Sequence, residues 1–223
     1  MKNSIGTLAA LVAITLLAAC GGGGGGGGTS TPTGPIASTN TFNLQSGYAA
    51  LVSTGYTKTF SISGTCSGSF TLTRGAATTA TTFEGSAANL GTSASTLTLT
   101  NCTPSSTAST SIQYYDSSYL PRGYSIQGGD YAVYASTPVI SSAAKVGDVV
   151  VVGTINLYTN STKTTSAGHV DVTYVVEPET STTAILNLIE KAYNSSNVLT
   201  STEQDRYRVA ANGALTPLSL DVQ

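Results

Sequence analysis

Val149–Tyr158 (VVVVGTINLY) and His169–Glu177 (HVDVTYVVE) are strand-length runs, rich in β-branched and aromatic residues, on either side of a polar loop at Thr159–Gly168. Pro178 has no amide proton to give a ladder and stops the second run. Toward the C-terminus, Ala184–Tyr193 follows a Ser/Thr turn, Asn194-Ser195-Ser196-Asn197 reads as another turn, and Thr200–Ala210 comes next. Asn212-Gly213 is the strongest hairpin signal in the chain, because both residues tolerate the positive φ of a type I′ turn. Ala214–Val222 closes what reads as an antiparallel meander. Ile185, Leu188, Ile189 and Ala192 also fit a helical stripe with Thr183 as N-cap, but the hairpin punctuation and the shortness of the segment favour a strand.

Toward the N-terminus, Tyr56–Ser63, Ser69–Thr73, Thr96–Asn101 and Asp130–Ala135 are further short alternating runs. Gly75–Ser95 reads as a long polar loop, with little hydrophobic periodicity apart from Phe83 and Leu90. No internal repeat of fixed period is evident. The expected fold is mostly β, with antiparallel sheets arranged as a sandwich or a curved meander.

Three cysteines are present. Cys66 precedes one strand run and Cys102 follows another, so in an antiparallel pair they are neighbours, and an oxidising compartment makes a disulfide the natural reading. The third, Cys20, ends a charged start at Lys2 and an apolar run from Leu8 to Ala19, too short to span a bilayer. Leu17-Ala18-Ala19-Cys20 resembles the bacterial lipobox, which implies lipidation of Cys20. Gly21 in place of an aspartate implies outer-membrane sorting, facing the periplasm or the exterior. Acyl chains contribute roughly 0.8 kcal/mol per buried methylene, so the partner expected first is the membrane itself.

Gly21 to Gly28 are all glycine, and Thr29 to Asn40 add Ser, Thr and Pro, a composition that forms a tether rather than a core. No strand precedes these glycines and no Lys-Ser/Thr pair follows, so a phosphate loop is excluded. The organisation read from the sequence is therefore a signal peptide at 1–19, a lipidated tether at 20–40, a disulfide-linked β module at 41–110, and a Tyr-rich segment with the meander at 111–223.

Charged residues make up only 9% of the chain; without Lys2, eight basic residues stand against eleven acidic ones, and no basic cluster points to nucleic acid. Gly64-Thr65-Cys66-Ser67-Gly68 has the spacing of a nucleophile elbow, but a strand rather than a helix follows and a disulfide-bonded thiol cannot attack. His169 is the single histidine, which excludes His-rich metal sites, and the acids show no calcium-loop spacing. No cofactor, metal or catalytic residue is assigned.

Tyr114, Tyr115, Tyr119, Tyr124, Tyr131 and Tyr134 place six of the twelve tyrosines in one stretch, with Arg122 and Asp116 beside them. A phenol offers a flat apolar face and a hydroxyl, which suits ligand binding, although tyrosine is also a common strand residue. Glu203, Asp205, Arg206 and Arg208 concentrate charge, and alternation places Asp205 with Tyr207 on one face and the two arginines on the other. Cross-strand ion pairing on a solvated face is the reading of this group.

The lipobox, the glycine run, Gly64–Gly68 and the close of the chain, Arg206 to Gln223, together resemble Gram-negative lipoproteins whose activity is uncharacterised. That resemblance implies a location and no site residues. The leading functional expectation is a non-enzymatic, membrane-anchored β domain that binds a ligand or partner. The alternatives are a carboxylate-dependent enzyme on polysaccharide and a structural subunit of an envelope assembly.

Overall fold

The structure is a computed structural model that describes residues 35–63, 66–100 and 102–223. The segment read as a signal peptide, Cys20 and the polyglycine run lie outside the described residues, as do Gly64 and Thr65 of the elbow-like segment. A helix, α1 (Leu44–Thr54), is followed by twelve strands. These are β1 (Tyr56–Ile62), β2 (Gly68–Arg74), β3 (Thr79–Phe83), β4 (Ser86–Leu99), β5 (Ser106–Tyr115), β6 (Pro121–Ile126) and β7 (Tyr131–Tyr134). The C-terminal set is β8 (Val149–Tyr158), β9 (Ser166–Pro178), β10 (Ala184–Asn194), β11 (Leu199–Val209) and β12 (Leu215–Val222).

All pairings are antiparallel and follow chain order, except that β3 folds back only on β4, whose other neighbours are β2 and β5. β12 returns beside β1, and the curved meander is nearly closed into a barrel. One sheet therefore runs through both segments set apart in the sequence, with β5 crossing the boundary between 110 and 111.

Alternation fixes which side chains face inward. In β9, Val170, Val172, Tyr174 and Val176 are buried. Register places them opposite Ala192, Glu190, Leu188 and Leu186 of β10, so those four face inward as well. The apolar run of β8 is split by alternation: Val152 is buried, whereas Val149 and Val151 are 67% and 70% exposed. A register shift between Val151 and Gly153 then re-aims the strand, so that Ile155 and Leu157 point into the core.

One end of the barrel is covered. Asn43 caps α1 by accepting from the Ser46 amide at 2.9 Å, and the fully buried Phe42 pairs its backbone with Ala144. Leu44, Tyr48, Leu51 and Val52 form the stripe of α1 that faces the interior. At the opposite end, Cys66 and Cys102 form the expected disulfide, with a Cα–Cα distance of 5.6 Å, joining the approach to β2 to the segment after β4.

Two expectations are corrected, and one element is new. Gly75–Ser95 is not a loop: β3 and most of β4 lie in it, and the inward positions of β4 include Ser93 and Ser95, so its alternation is not one of apolar against polar. The helix α1 had no counterpart in the sequence reading. The turn at Asn212-Gly213 is not type I′, because only Gly213 has positive φ (85°). Gly213 N–H donates to Ala210 O and Ala210 N–H to Ala214 O, a three-residue loop ending in a left-handed glycine. Ala184–Tyr193 is strand, as expected.

Candidate functional site

The interior holds two adjoining cavities of about 200 and about 140 Å³. The larger lies over α1, walled by Tyr124, Tyr134, Val172, Leu188 and Tyr207. The smaller lies toward the disulfide end and has an apolar side, including Phe60, Phe70, Leu97 and Val222, and a side of inward serines, Ser93, Ser95, Ser109 and Ser111. Arg74, Gln113, Glu203 and Asp205 line both. They form a polar layer across the lumen where the two spaces meet.

Strand register builds that layer. Tyr56 pairs with Arg74, which is opposite Ser93, which in turn is opposite Ser111. On the other wall, Glu190 of β10 is the direct partner of Glu203 of β11, and Asp205, two residues on, shares the inward face. Like charges directly opposite in a sheet are destabilising, so this arrangement is not there for the strands' own sake.

The environment of these acids perturbs them strongly. Burial, followed by the Asp205 charge, pushes Glu190 up to about 7 against an opposing effect of Arg74. Burial likewise pushes Asp205 up to about 6, offset by Arg74 and by a hydrogen bond with Glu203. Glu203 is raised well above the usual carboxylate range by burial and by both neighbouring acids. Burial also raises Tyr48, Tyr115, Tyr134 and Tyr207, so the surrounding phenols keep their protons. Among the described residues, no ion pair within 4.0 Å joins Arg74 to any of the three acids.

The six tyrosines that lie close together in the sequence are divided by the wall. Tyr115, Tyr124 and Tyr134 point into the lumen. Tyr114 and Tyr131 lie on the outside, where Phe83 of the β3–β4 hairpin stacks on Tyr114 at 4.2 Å and meets Tyr131 at 5.5 Å. Tyr131 donates to Glu84 at 2.6 Å, and Glu84 pairs with Lys163. Arg122 lies near enough for its charge to lower Glu84 further, behind the hydrogen bonds from Lys163 and Tyr131. Tyr119 sits in a tight turn with φ of 62°, organised by Asp116, whose Oδ1 accepts from Ser118 and Leu120 amides.

Comparison with protein-family models, curated proteins and solved structures gives no match. The site has to be read from its own chemistry.

The face assignment made for β11 holds: Arg206 and Arg208 point outward, to Asp221 at 2.9 Å and Glu179 at 2.5 Å, while Asp205 and Tyr207 point inward. What the sequence reading missed is that the second face is the inside of a barrel. A signal was present in β10, where Glu190 interrupts the row Ala184, Leu186, Leu188, Ala192 that is otherwise apolar. His169, the expected surface histidine, stacks on Tyr193 at 4.7 Å and is 3.9 Å from Asp171. Cys66 is held in the disulfide, and among the described residues no cluster of His, Cys, Asp and Glu is arranged to hold a metal ion.

Proposed function

We propose that the protein is an outer-membrane lipoprotein, anchored through Cys20, whose barrel binds a small organic molecule in its lumen without transforming it. The observation that carries this reading is the layer of Arg74, Glu190, Glu203 and Asp205 bordering unfilled interior space. Buried like charges cost stability and a packed apolar core does not, so a fold that keeps them gains something else from them. Phenols around the cavity supply apolar faces and hydroxyls together, the usual composition of a small-molecule site. Enclosure by the wall, with α1 across one end, suits a small ligand better than a polysaccharide chain.

The experiment is a thermal-shift screen of the purified protein against small metabolites, glycans and lipids. A ligand at 100 times its dissociation constant raises stability by about 2.7 kcal/mol. The reading requires a shift that is lost in Tyr207→Phe or Tyr134→Phe and kept in Tyr114→Ala, which alters only the outer aromatic cluster. A shift lost in Tyr114→Ala alone would place binding on the outside of the wall and sink the lumen reading. The anchor is tested separately: Cys20→Ala is expected to move the protein from the membrane fraction to the soluble one.

A further inference from the structure

The lumen has a surplus of acid. Three carboxyls, Glu190, Glu203 and Asp205, share it with one guanidinium, Arg74, so full ionisation leaves a charge of three negatives less one positive. Arg74 lines both cavities with Glu203 and Asp205 and yet, among the described residues, closes no ion pair within 4.0 Å with them. Asp205 Oδ1 is buried and has no hydrogen-bond partner. The hydrogen bond that Asp205 shares with Glu203 leaves this oxygen without a donor, and when ionised it is short of one.

We infer that the lumen takes an organic ammonium compound, with its charged nitrogen seated among Glu190, Glu203 and Asp205 and its apolar body against the tyrosine wall. This rests on the lumen-binding reading and names the ligand class for it. An ammonium group brings N–H donors and a positive charge to the place where both are missing. Tyr48, Tyr124, Tyr134 and Tyr207 surround the space, and their ring faces favour a desolvated cation.

Binding also carries a proton count. The charged and titratable groups facing the acids are Arg74 from β2, Tyr56 from β1, Tyr48 from α1, Tyr115 from β5, Tyr124 and Tyr134 from β6 and β7, and Tyr207 from β11. Arg74 is the only cation among them, so a second cation draws the acids into their ionised form and their protons pass to the buffer.

The test is isothermal calorimetry with phenethylamine, its trimethylammonium analogue and the neutral phenethyl alcohol, at about pH 8 and about pH 5, on either side of the Glu190 and Asp205 values of about 7 and about 6. The inference expects an ammonium probe to bind at least about tenfold more tightly than the alcohol, as one charge-assisted contact provides. It further expects weaker binding at the lower pH, proton release seen with buffers of different ionisation enthalpy, and loss of the preference in Glu190→Gln and Asp205→Asn. Those variants remove repulsion and are expected to melt no lower than the parent at neutral pH, which separates lost binding from lost folding. Equal binding of amine and alcohol, lost in Tyr207→Phe or Tyr134→Phe, keeps the lumen reading and overturns the ammonium inference. Absence of binding by all three probes overturns the ammonium inference, while a neutral ligand from the thermal-shift screen decides the lumen reading.

Discussion

Gly47 has no room for a methyl group: an added Cβ would stand 1.9 Å from the Gly213 carbonyl oxygen, and Gly213, at φ 85°, would bring its own Cβ to 2.7 Å from Asn43 O. The start of α1 and the β11–β12 turn thus meet backbone to backbone, and no flexible side chain can give way. Gly47→Ala is expected to lose about 1–3 kcal/mol, read as a lower denaturation midpoint with an unchanged slope. The lumen acids set a second residue-level expectation. Their folded pKa values lie above the unfolded ones, so the folded chain holds protons that the unfolded chain releases. Their contribution is fully present below about pH 4 and is lost as pH rises through about 6 to 7. Glu84 and Glu179 have the opposite sign, lowered first by hydrogen bonds from Lys163 and Arg208, but they are near the surface and screened. Melting temperature without ligand is therefore expected to fall from about pH 5 to about pH 8, and Glu190→Gln with Asp205→Asn to flatten the fall. A melting temperature that instead rises over this range would mean that these acids are ionised and satisfied in the folded state.

At the scale of elements, the strands that could be read are those whose inward row is apolar and whose ends carry turn residues. β8, β9 and β12 meet both conditions and β10 does so apart from Glu190, with Val170, Val172 and Val176 in one row and Asn194 to Asn197 at a turn; β11, whose inward row carries Glu203 and Asp205, is read from its turns. β4 and β5 fail the first, because Ser93, Ser95 and Ser111 face inward and Thr96, Thr98 and Thr110 face outward, so the two faces look alike in composition. α1 carries its N-cap, Asn43, but its apolar stripe is only Leu44, Tyr48, Leu51 and Val52 among Ser, Gly and Ala, too slight to stand out. The same thinness makes the disulfide matter. Cys66–Cys102 closes a loop of 36 residues' separation where the satellite core is only Leu97, Leu99, Ile62 and Phe70. Its replacement by two serines is expected to cost about 4 kcal/mol by the loop-entropy relation, read as the shift in urea unfolding between the two proteins. A shift of less than about 1 kcal/mol would mean that the reduced chain already holds β2 against β4 before folding.

For the molecule as a whole, the two ends of the barrel differ, and the difference gives the lumen a direction. The end covered by α1 is also where the chain enters, since Ile36 bridges to Glu179 just past β9. On the proposed lipid tether, that end faces the membrane and the disulfide end faces away. The smaller cavity lies at the far end and reaches the exposed Ser61, so a ligand's shortest way in passes the inward serines. The near-closure of β1 against β12 could not be read in the sequence, because it depends on the accumulated curvature of every strand between them rather than on any local signal. It also leaves a rival route, through the seam between those two strands. Ser95→Phe tests the far-end route: its ring enters the smaller cavity, where Ser95 is 7% exposed and which no residue of α1 lines. Because the ring enters existing space, the cost in stability is expected to stay within about 1–3 kcal/mol, that of a small-to-large change, so the folded variant can be assayed. If the far end is the way in, association and dissociation of a lumen ligand, followed by stopped-flow tyrosine fluorescence, should both slow by at least about tenfold, equivalent to a barrier about 1.4 kcal/mol higher. Unchanged rates would instead make the β1–β12 seam the route, with opening of the barrel wall as the step that admits the ligand.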